Sequence, residues 1–395
     1  MLQKPICVSI AFNYHDSSIS LSSGEKILCV VEAERIFRRK KCNCSPRQMD
    51  MLLAEVLGIY DLLVDEVDRW VVGSLNNPYG LTAPQETTAD VKMPILGKSR
   101  TCTLFNHHYA HAGSFLLSPF SRSLISSCDG GGDYGQRVAF YQGNELSIEP
   151  LRIDPQECTS TKPYGQSAAF LFQIPFCEGR LMALASYGEP SGRYHDIIVP
   201  LFTQLRNCKY QDGQELLNNV IPELRGVGKI DPLRAADFCA SLQKHFEDRR
   251  LDDLAKEVAK TGNRSVIIAG GSGLNLGLNT RIYDSITSDL FILPCCDDTG
   301  IALCQNAIAI AEMCGKRPHI DLPFCGVHDY NRWCYYPQYL LDTTTCDLES
   351  IARAIVGGQI VLMHSGRPEI GPRALGHRSF LMSAADNHNR HILSV

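Results

Sequence analysis

The stretch ICVSIAFNYHDSSISLSSGEKILCVVEAE, residues 6–34, decides the reading of the fold. It holds three β-like runs, 6–12, 17–23 and 26–34, broken by Asn13-Tyr14-His15-Asp16 and by Gly24-Glu25. Short apolar runs between polar turns predict a β-meander. Working outward, Ser45-Pro46 predicts a helix start, with Ser45 as N-cap and Pro46 at the first helical position. Met49, Leu52, Leu53 and Val56 then share one helical face. RWVVG (69–73) reads as the next strand.

The same grammar continues. TCTLF (101–105) is a strand running into a helical HHYAHAGSFLL. SLISSC (123–128) ends at a glycine-rich turn, and RVAFYQG (137–143) follows it. SVIIAG (265–270) and DLFILP (289–294) are strands, each followed by a turn and a helical stretch. Strands and helices alternate in two blocks, which predicts an α/β architecture. Residues from about 150 to 260 read as more helical, and no internal sequence repeat is visible. Near the carboxyl end, 318–337 reads as a loop. CDLESIARAIVGGQIVLMHSG then reads as helix, Gly-Gly turn and strand, the start of a second domain near residue 346.

Composition narrows the function. The chain of 395 residues is 44% hydrophobic and carries a net charge of −5, so no basic field draws it to nucleic acid. The run Arg38-Arg39-Lys40-Lys41 reads by itself as a solvated patch. No apolar stretch reaches the ~18–20 residues of a membrane span, and no signal peptide is expected at the amino terminus. The 17 cysteines include no CxxC pair, which argues against zinc ribbons, iron–sulfur clusters and redox dithiols. A cytoplasmic chain with reduced, partly buried thiols is expected.

His107 and His111 stand at i and i+4, so both imidazoles fall on one helical face and suit a divalent metal. Asp129, at a strand end before Gly130-Gly131-Gly132, is a third candidate ligand. Asp298 in PCCDDTG is a fourth, with a helix N-cap as its alternative reading. Two imidazoles with carboxylates suit iron(II), manganese or zinc. The turns DGGGDYG (129–135) and GGSGLNLGLN (270–279) could present N–H groups to phosphate, or could be tight turns without a ligand. His15-Asp16-Ser17-Ser18 is a polar turn with the same two readings. Arg367, Arg373 and Arg378 lie among turn formers, where guanidinium forks suit oxyanions; a solvated loop is the alternative.

Taken in order, the segments FNYHDSSISL, EAERIFRRKK, NHHYAHAGSF, CDGGGDYG, EGRLMALASYG, AGGSGLNLGLNTRI, DDTGIAL and GRPEIGPRALGHRS resemble the O-carbamoyltransferase family, which includes nodulation-factor enzymes and enzymes that decorate antibiotics. The resemblance implies an actin/Hsp70-like two-lobed domain over 1–345 and the beginning of a YrdC-like α/β domain over 346–395. It implies ATP and carbamoyl phosphate as substrates, carbamoyl-adenylate as the intermediate, and a small-molecule hydroxyl as acceptor in natural-product biosynthesis. By position, His107, His111, Asp129 and Asp298 match the metal ligands for Fe(II) or another divalent ion, with Asp297 the fallback if the DDTG register slips. His15 and Lys40 match the transfer site. Gly270, Gly271 and Asn275 match the nucleotide loop, joined by Gly130 and Gly131. Arg367, Arg373 and Arg378 match the motif that opens the YrdC-like domain. Ser272, Gly273 and Arg180 depart from the family's usual residues.

Most of a YrdC-like domain is not present before Val395, so adenylate formation by this chain alone is not expected. The tail is expected to dock on the main body or to pair with a YrdC-like partner chain or another copy. The alternative function is a nucleotide-binding subunit or regulator that works only with a partner. A tRNA-modifying transferase and a sugar kinase or chaperone of the same superfold are further alternatives, disfavoured by the acidic charge and by the paired histidines respectively.

Overall fold

The structure is a computed structural model and describes residues 4–12, 15–73, 80–154, 161–205, 208–327 and 347–385. Its first block runs β1 (Ile6–Ala11), β2 (Ser18–Ser23), β3 (Lys26–Glu32), α1 (Ala33–Phe37), α2 (Pro46–Ile59), β4 (Arg69–Gly73), β5 (Thr88–Ile95), β6 (Lys98–Phe105) and α3 (His107–Ala112). The second runs β7 (Arg122–Cys128), β8 (Val138–Asn144), β9 (Ser147–Asp154), α4 (Thr161–Phe172), α5 (Glu178–Ala185), α6 (Gly192–Leu205), α7 (Tyr210–Val220), α8 (Val227–Ile230), α9 (Ala236–Thr261), β10 (Val266–Ala269), α10 (Leu276–Ser285), β11 (Leu290–Ile292) and α11 (Ile301–Cys314). The tail holds α12 (Leu348–Val356), β12 (Val361–His364) and β13 (Arg378–Leu381).

The two sheets repeat one plan. The first has the order β3-β2-β1-β4-β6-β5 and the second β11-β10-β7-β8-β9. In each, three consecutive strands pair antiparallel, a later strand (β4 or β10) joins the first of them in parallel, and a further parallel strand (β6 or β11) follows it; β5 closes the first sheet antiparallel to β6. Two copies of this plan make the actin/Hsp70-like two-lobed α/β fold, although the sequence shows no repeat. The meander over β1–β3 matches expectation except at its end. Ala33-Glu34-Arg35 leaves the third strand and starts α1, since Ala, Glu and Arg are strong helix formers. Strands β5 and β9, and most of the boundaries between α4 and α8, carry no clear pattern in the sequence.

Helix α2 starts as the sequence predicts. The Ser45 hydroxyl accepts from the Gln48 N–H while Gln48 caps back to the Ser45 N–H, and Pro46 opens the helix. Met49, Leu52, Leu53 and Val56 are all buried against the first sheet. Helix α11 is different in kind. Every residue from Ile301 to Ala311 is buried, as a helix apolar on all sides requires when it lies between two sheets. Its polar members find partners in the first sheet. Gln305 accepts from the Ser9 hydroxyl at 3.0 Å, and Asn306 bonds Ser20 and Ser22.

In the tail, β12 pairs antiparallel with β13 in a two-stranded sheet. The loop before β13 docks on the main body. The Gly371 N–H donates to buried Glu32 at 3.0 Å, and the Arg367 guanidinium donates to the Leu28, Cys325 and Gly326 carbonyls. Residues 328–346, which cover the second half of the predicted loop and the predicted domain start, lie outside the described residues, as do Asn13 and Tyr14 in the first break. Among the described residues no helix is long and apolar enough to cross a membrane.

Candidate functional site

Parallel strands deliver loops to one edge of a sheet, and ligands of open α/β sheets bind outside those carboxyl ends. Here the two lobes set their strand ends against each other. The turn after β1 carries His15 and Asp16, the end of β6 leads into the histidines of α3, β7 ends at Asp129, and the segment after β11 carries Asp297 and Asp298.

Helix α3 is held firmly at its first turn. The Asn106 side chain caps it by accepting from His108 and Tyr109, and the Asp133 carboxylate accepts from the His107 N–H at 2.8 Å. His107 and His111 therefore point the same way, their rings 4.7 Å apart. The His111 Nε2 lies 3.3 Å from Asp129 Oδ2 and 3.2 Å from Asp298 Oδ1, and the His107 Nε2 lies 3.7 Å from Asp298 Oδ1. One ligand atom from each of these four residues falls within 4.8 Å of all the others. The two Nε2 atoms and Asp298 Oδ1 are buried without a hydrogen-bond partner among the described residues. Two borderline nitrogens and two carboxylate oxygens, converging and otherwise unsatisfied, fit a divalent ion.

The electrostatics of the four groups diverge. Burial pushes the His107 imidazole down to about 3, with the neighbouring His111 adding to it. Burial would lower His111 too, but the carboxylates of Asp129 and Asp298 close beside it raise it to about 9. Asp129 is held well below the carboxylate range because His111 overcomes its burial. Asp298 is pushed up by burial and by the charge of Asp129, against His111. Asp298 makes no cap bond to the turn or helix that follows, so its N-cap alternative is not what the structure adopts.

Beside the cluster stands a second group. The His15 Nδ1 is 2.8 Å from Asp16 Oδ2 and 3.8 Å from Asp298 Oδ2. The Lys41 amine donates to Asp16 at 2.7 Å and stands 3.8 Å from Asp297 Oδ2. Asp297 itself is buried and raised to about 6 by desolvation, with Lys41 opposing. The expected transfer-site lysine, Lys40, is placed elsewhere. Its exposed amine pairs with Glu34 at 2.9 Å. Lys41 takes a left-handed φ of 54°, and that turn sends the two neighbouring lysines to different partners. Lys41 and the ring of Phe176 are neighbours of His15 that the sequence did not single out; Asp16 was named only as part of the polar turn His15-Asp16-Ser17-Ser18. Its place next to His15 was the signal for Asp16; nothing local marks Lys41 over Lys40.

The glycine turns are held by the site rather than left open. Gly270 has φ of 82°, and a Cβ there would lie 2.3 Å from the Cys128 carbonyl oxygen, so only glycine fits at the end of β10 beside its parallel neighbour β7. The Gly271 N–H donates to Asp129 Oδ2 at 2.7 Å, and the Gly130 N–H donates to the other oxygen of the same carboxylate. Gly131 follows on the same partly open turn. Asn275 caps α10 through Leu278 and exchanges hydrogen bonds with the Gln243 amide.

The three arginines do not form one oxyanion cradle. Arg367 satisfies three carbonyls, and Arg378 is tied to Glu369, because a loop rich in Gly and Pro leaves carbonyls and a carboxylate that need donors. Arg373 is the exposed one, and it reaches the Leu274 carbonyl of the glycine turn at 3.1 Å.

Comparison with known proteins identifies the family. The family described as carbamoyltransferase N-terminus matches residues 6–307, and that described as carbamoyltransferase C-terminus matches residues 352–395. Nodulation protein NolNO of Sinorhizobium fredii is 27% identical over 93% of this chain, nodulation protein U of Azorhizobium caulinodans 30% over 94%, and 3'-hydroxymethylcephem-O-carbamoyltransferase of Streptomyces clavuligerus 29% over 55%. These alignments cover 58%, 74% and 41% of the respective relatives. The chain thus spans a little over half the length of NolNO, and 54% of nodulation protein NolO of Bradyrhizobium diazoefficiens.

Proposed function

The chain belongs to the carbamoyltransferase family, and on that premise we propose that it transfers a carbamoyl group from carbamoyl-adenylate, made from ATP and carbamoyl phosphate, to a hydroxyl of a small molecule in natural-product biosynthesis. One observation carries the reading: His107, His111, Asp129 and Asp298 converge at the strand ends of both lobes, directly beside His15 and Lys41. Residues 1–345 serve as the transfer unit in this reading, and 346–395 open a YrdC-like adenylate-forming unit, in a cytoplasmic enzyme.

The step is acyl transfer. The acceptor oxygen bonds to the carbamoyl carbon, the bond from that carbon to the adenylate phosphate oxygen breaks, and AMP leaves with the electron pair. Asp16 accepts from the His15 Nδ1–H, which leaves Nε2 free to take the acceptor's proton. Burial disfavours the charged imidazole, but its hydrogen bond to Asp16 and the charge of Asp298 raise its affinity for that proton. Lys41, kept charged by Asp16 and Asp297 against its burial, stabilises negative charge on the departing phosphate. His107, His111, Asp129 and Asp298 would hold Fe(II) or another divalent ion, which supplies Lewis-acid stabilisation of phosphate charge when bound. Nucleotide is placed along the Gly270–Asn275 turn, with Arg373 at its rim.

The test supplies the metal-loaded chain with carbamoyl-adenylate and a panel of polyhydroxy compounds, and measures AMP release and carbamate ester. Ester formation above the uncatalysed rate is expected, falling at least about a hundredfold in His15→Asn, the range for loss of a general base. No AMP release above background in the presence of any acceptor refutes the reading.

A further inference from the structure

Phe176 lies in the turn between α4 and α5 of the second lobe, yet its ring packs on residues of the first lobe. Its centroid is 4.6 Å from the His15 ring in an edge-on contact, and the Lys41 amine stands 5.9 Å from it. The residue is 52% exposed, an unusual state for a phenyl group that already touches two charged or polar side chains. Its backbone is left-handed at φ 55°, and so is that of Gln173 at φ 52°, in the same five-residue turn. A bulky residue rarely accepts this conformation, and held strain of this kind clusters at ligand clamps. The turn is anchored: the Gln173 amide donates to the Phe170 carbonyl at 2.7 Å and the Cys177 thiol to the Ile174 carbonyl at 3.0 Å.

The turn thus holds an aromatic ring in place with one side on His15 and Lys41 and the other open. We propose that Phe176 is a positioning and specificity residue of the transfer site. It fixes the His15 ring from across the cleft, excludes water from it, and offers its open side to the acceptor, selecting hydroxyl compounds that carry a ring beside the reacting carbon. The inference rests on the transfer reading above. An aromatic wall packs a flat or cyclic acceptor and leaves a short alcohol unheld. A site that excludes water directs the carbamoyl group to the acceptor rather than to hydrolysis.

The experiment uses the full chain, metal-loaded, with carbamoyl-adenylate as donor and two probe alcohols, cyclohexylmethanol and ethanol. AMP release reports all turnover, and carbamate ester reports transfer. The parent is expected to favour cyclohexylmethanol over ethanol in kcat/KM. In Phe176→Ala the preference drops at least about tenfold, mainly through KM, the scale set by a lost apolar contact in a pocket. The share of turnover lost to hydrolysis rises, while metal content is unchanged. Phe176→Tyr restores the preference, a rescue that a purely structural role for the turn would not single out. An unchanged preference and hydrolysis share in Phe176→Ala overturns the assignment of Phe176 alone. A parent that releases no AMP with either alcohol or with water overturns the transfer reading and this inference with it.

Discussion

Glu32 ties the loop around Gly371 to the first lobe, and its burial makes a sharp prediction. One oxygen accepts from the Gly371 N–H at 3.0 Å, the other from Arg35 Nε at 3.1 Å, and Arg35 also donates to the Gly371 carbonyl at 3.0 Å. Burial raises the carboxyl from 4.5 to about 7; Arg35 and the Gly371 hydrogen bond oppose this, and Glu34 adds to it. The thiols of Cys295 and Cys325 also face it. Between those two values the folded chain holds a proton that the unfolded chain has released, so stability falls as pH rises through the window. The displacement corresponds to roughly 3 kcal/mol, present in full below about pH 4.5 and lost above about pH 7. Glu32→Gln keeps an oxygen for the Gly371 N–H and removes the charge. Its stability should therefore lose that pH dependence and gain on the parent as pH rises from 5 to 8. With a urea slope of about 3 kcal/mol/M, the two midpoints should move relative to each other by about 1 M over this range. Urea unfolding of both proteins at pH 5, 6, 7 and 8 measures it. Parallel midpoints across the series would show that burial does not hold the Glu32 carboxyl above its ordinary range.

The remaining predictions concern the site and its supports. Lys41→Met should lower carbamoyl transfer at least about tenfold, the cost of losing one charged stabiliser of a leaving group, whereas Lys40→Met should change it less than about twofold; AMP release distinguishes them. His107→Ala/His111→Ala should abolish binding of one equivalent of divalent metal, measured by elemental analysis after dialysis, and retention would place the ligands elsewhere. Gly270→Ala should destabilise by at least about 2 kcal/mol through its positive φ and the blocked approach to Cys128, while Gly271→Ala, whose Cβ would meet Asp129 only at 3.5 Å, should fold like the parent; thermal melting decides. Ser45→Ala should cost about 1 kcal/mol by removing the capping box of α2.

Local chemistry in the sequence determined much of this protein. Apolar runs of strand length marked β1, β4, β8 and β10, and short runs of small and apolar residues between polar turns marked β2 and β7, because strand length and turn chemistry are local properties. Ser45-Pro46 marked a helix start, since capping is settled within four residues. The i, i+4 spacing of His107 and His111 put both rings on one face, a consequence of helical pitch alone. The tertiary structure decided the rest, where the outcome depends on partners distant in the chain. Strand order, and with it the duplicated plan of the two lobes, follows from pairings that no local pattern records. Asp298 rather than Asp297 faces His107 and His111 because the segment after β11 is aimed by its packing, not by its composition. Lys40 and Lys41 are equivalent as letters. Glu34 and Asp16, six and 25 residues away, draw them apart. Arg367 and Arg378 were drawn inward by carbonyls and a carboxylate that folding had left without donors. Phe176 meets His15 only because the two lobes close on each other, so a ring 161 residues distant in sequence becomes a neighbour of the transfer site.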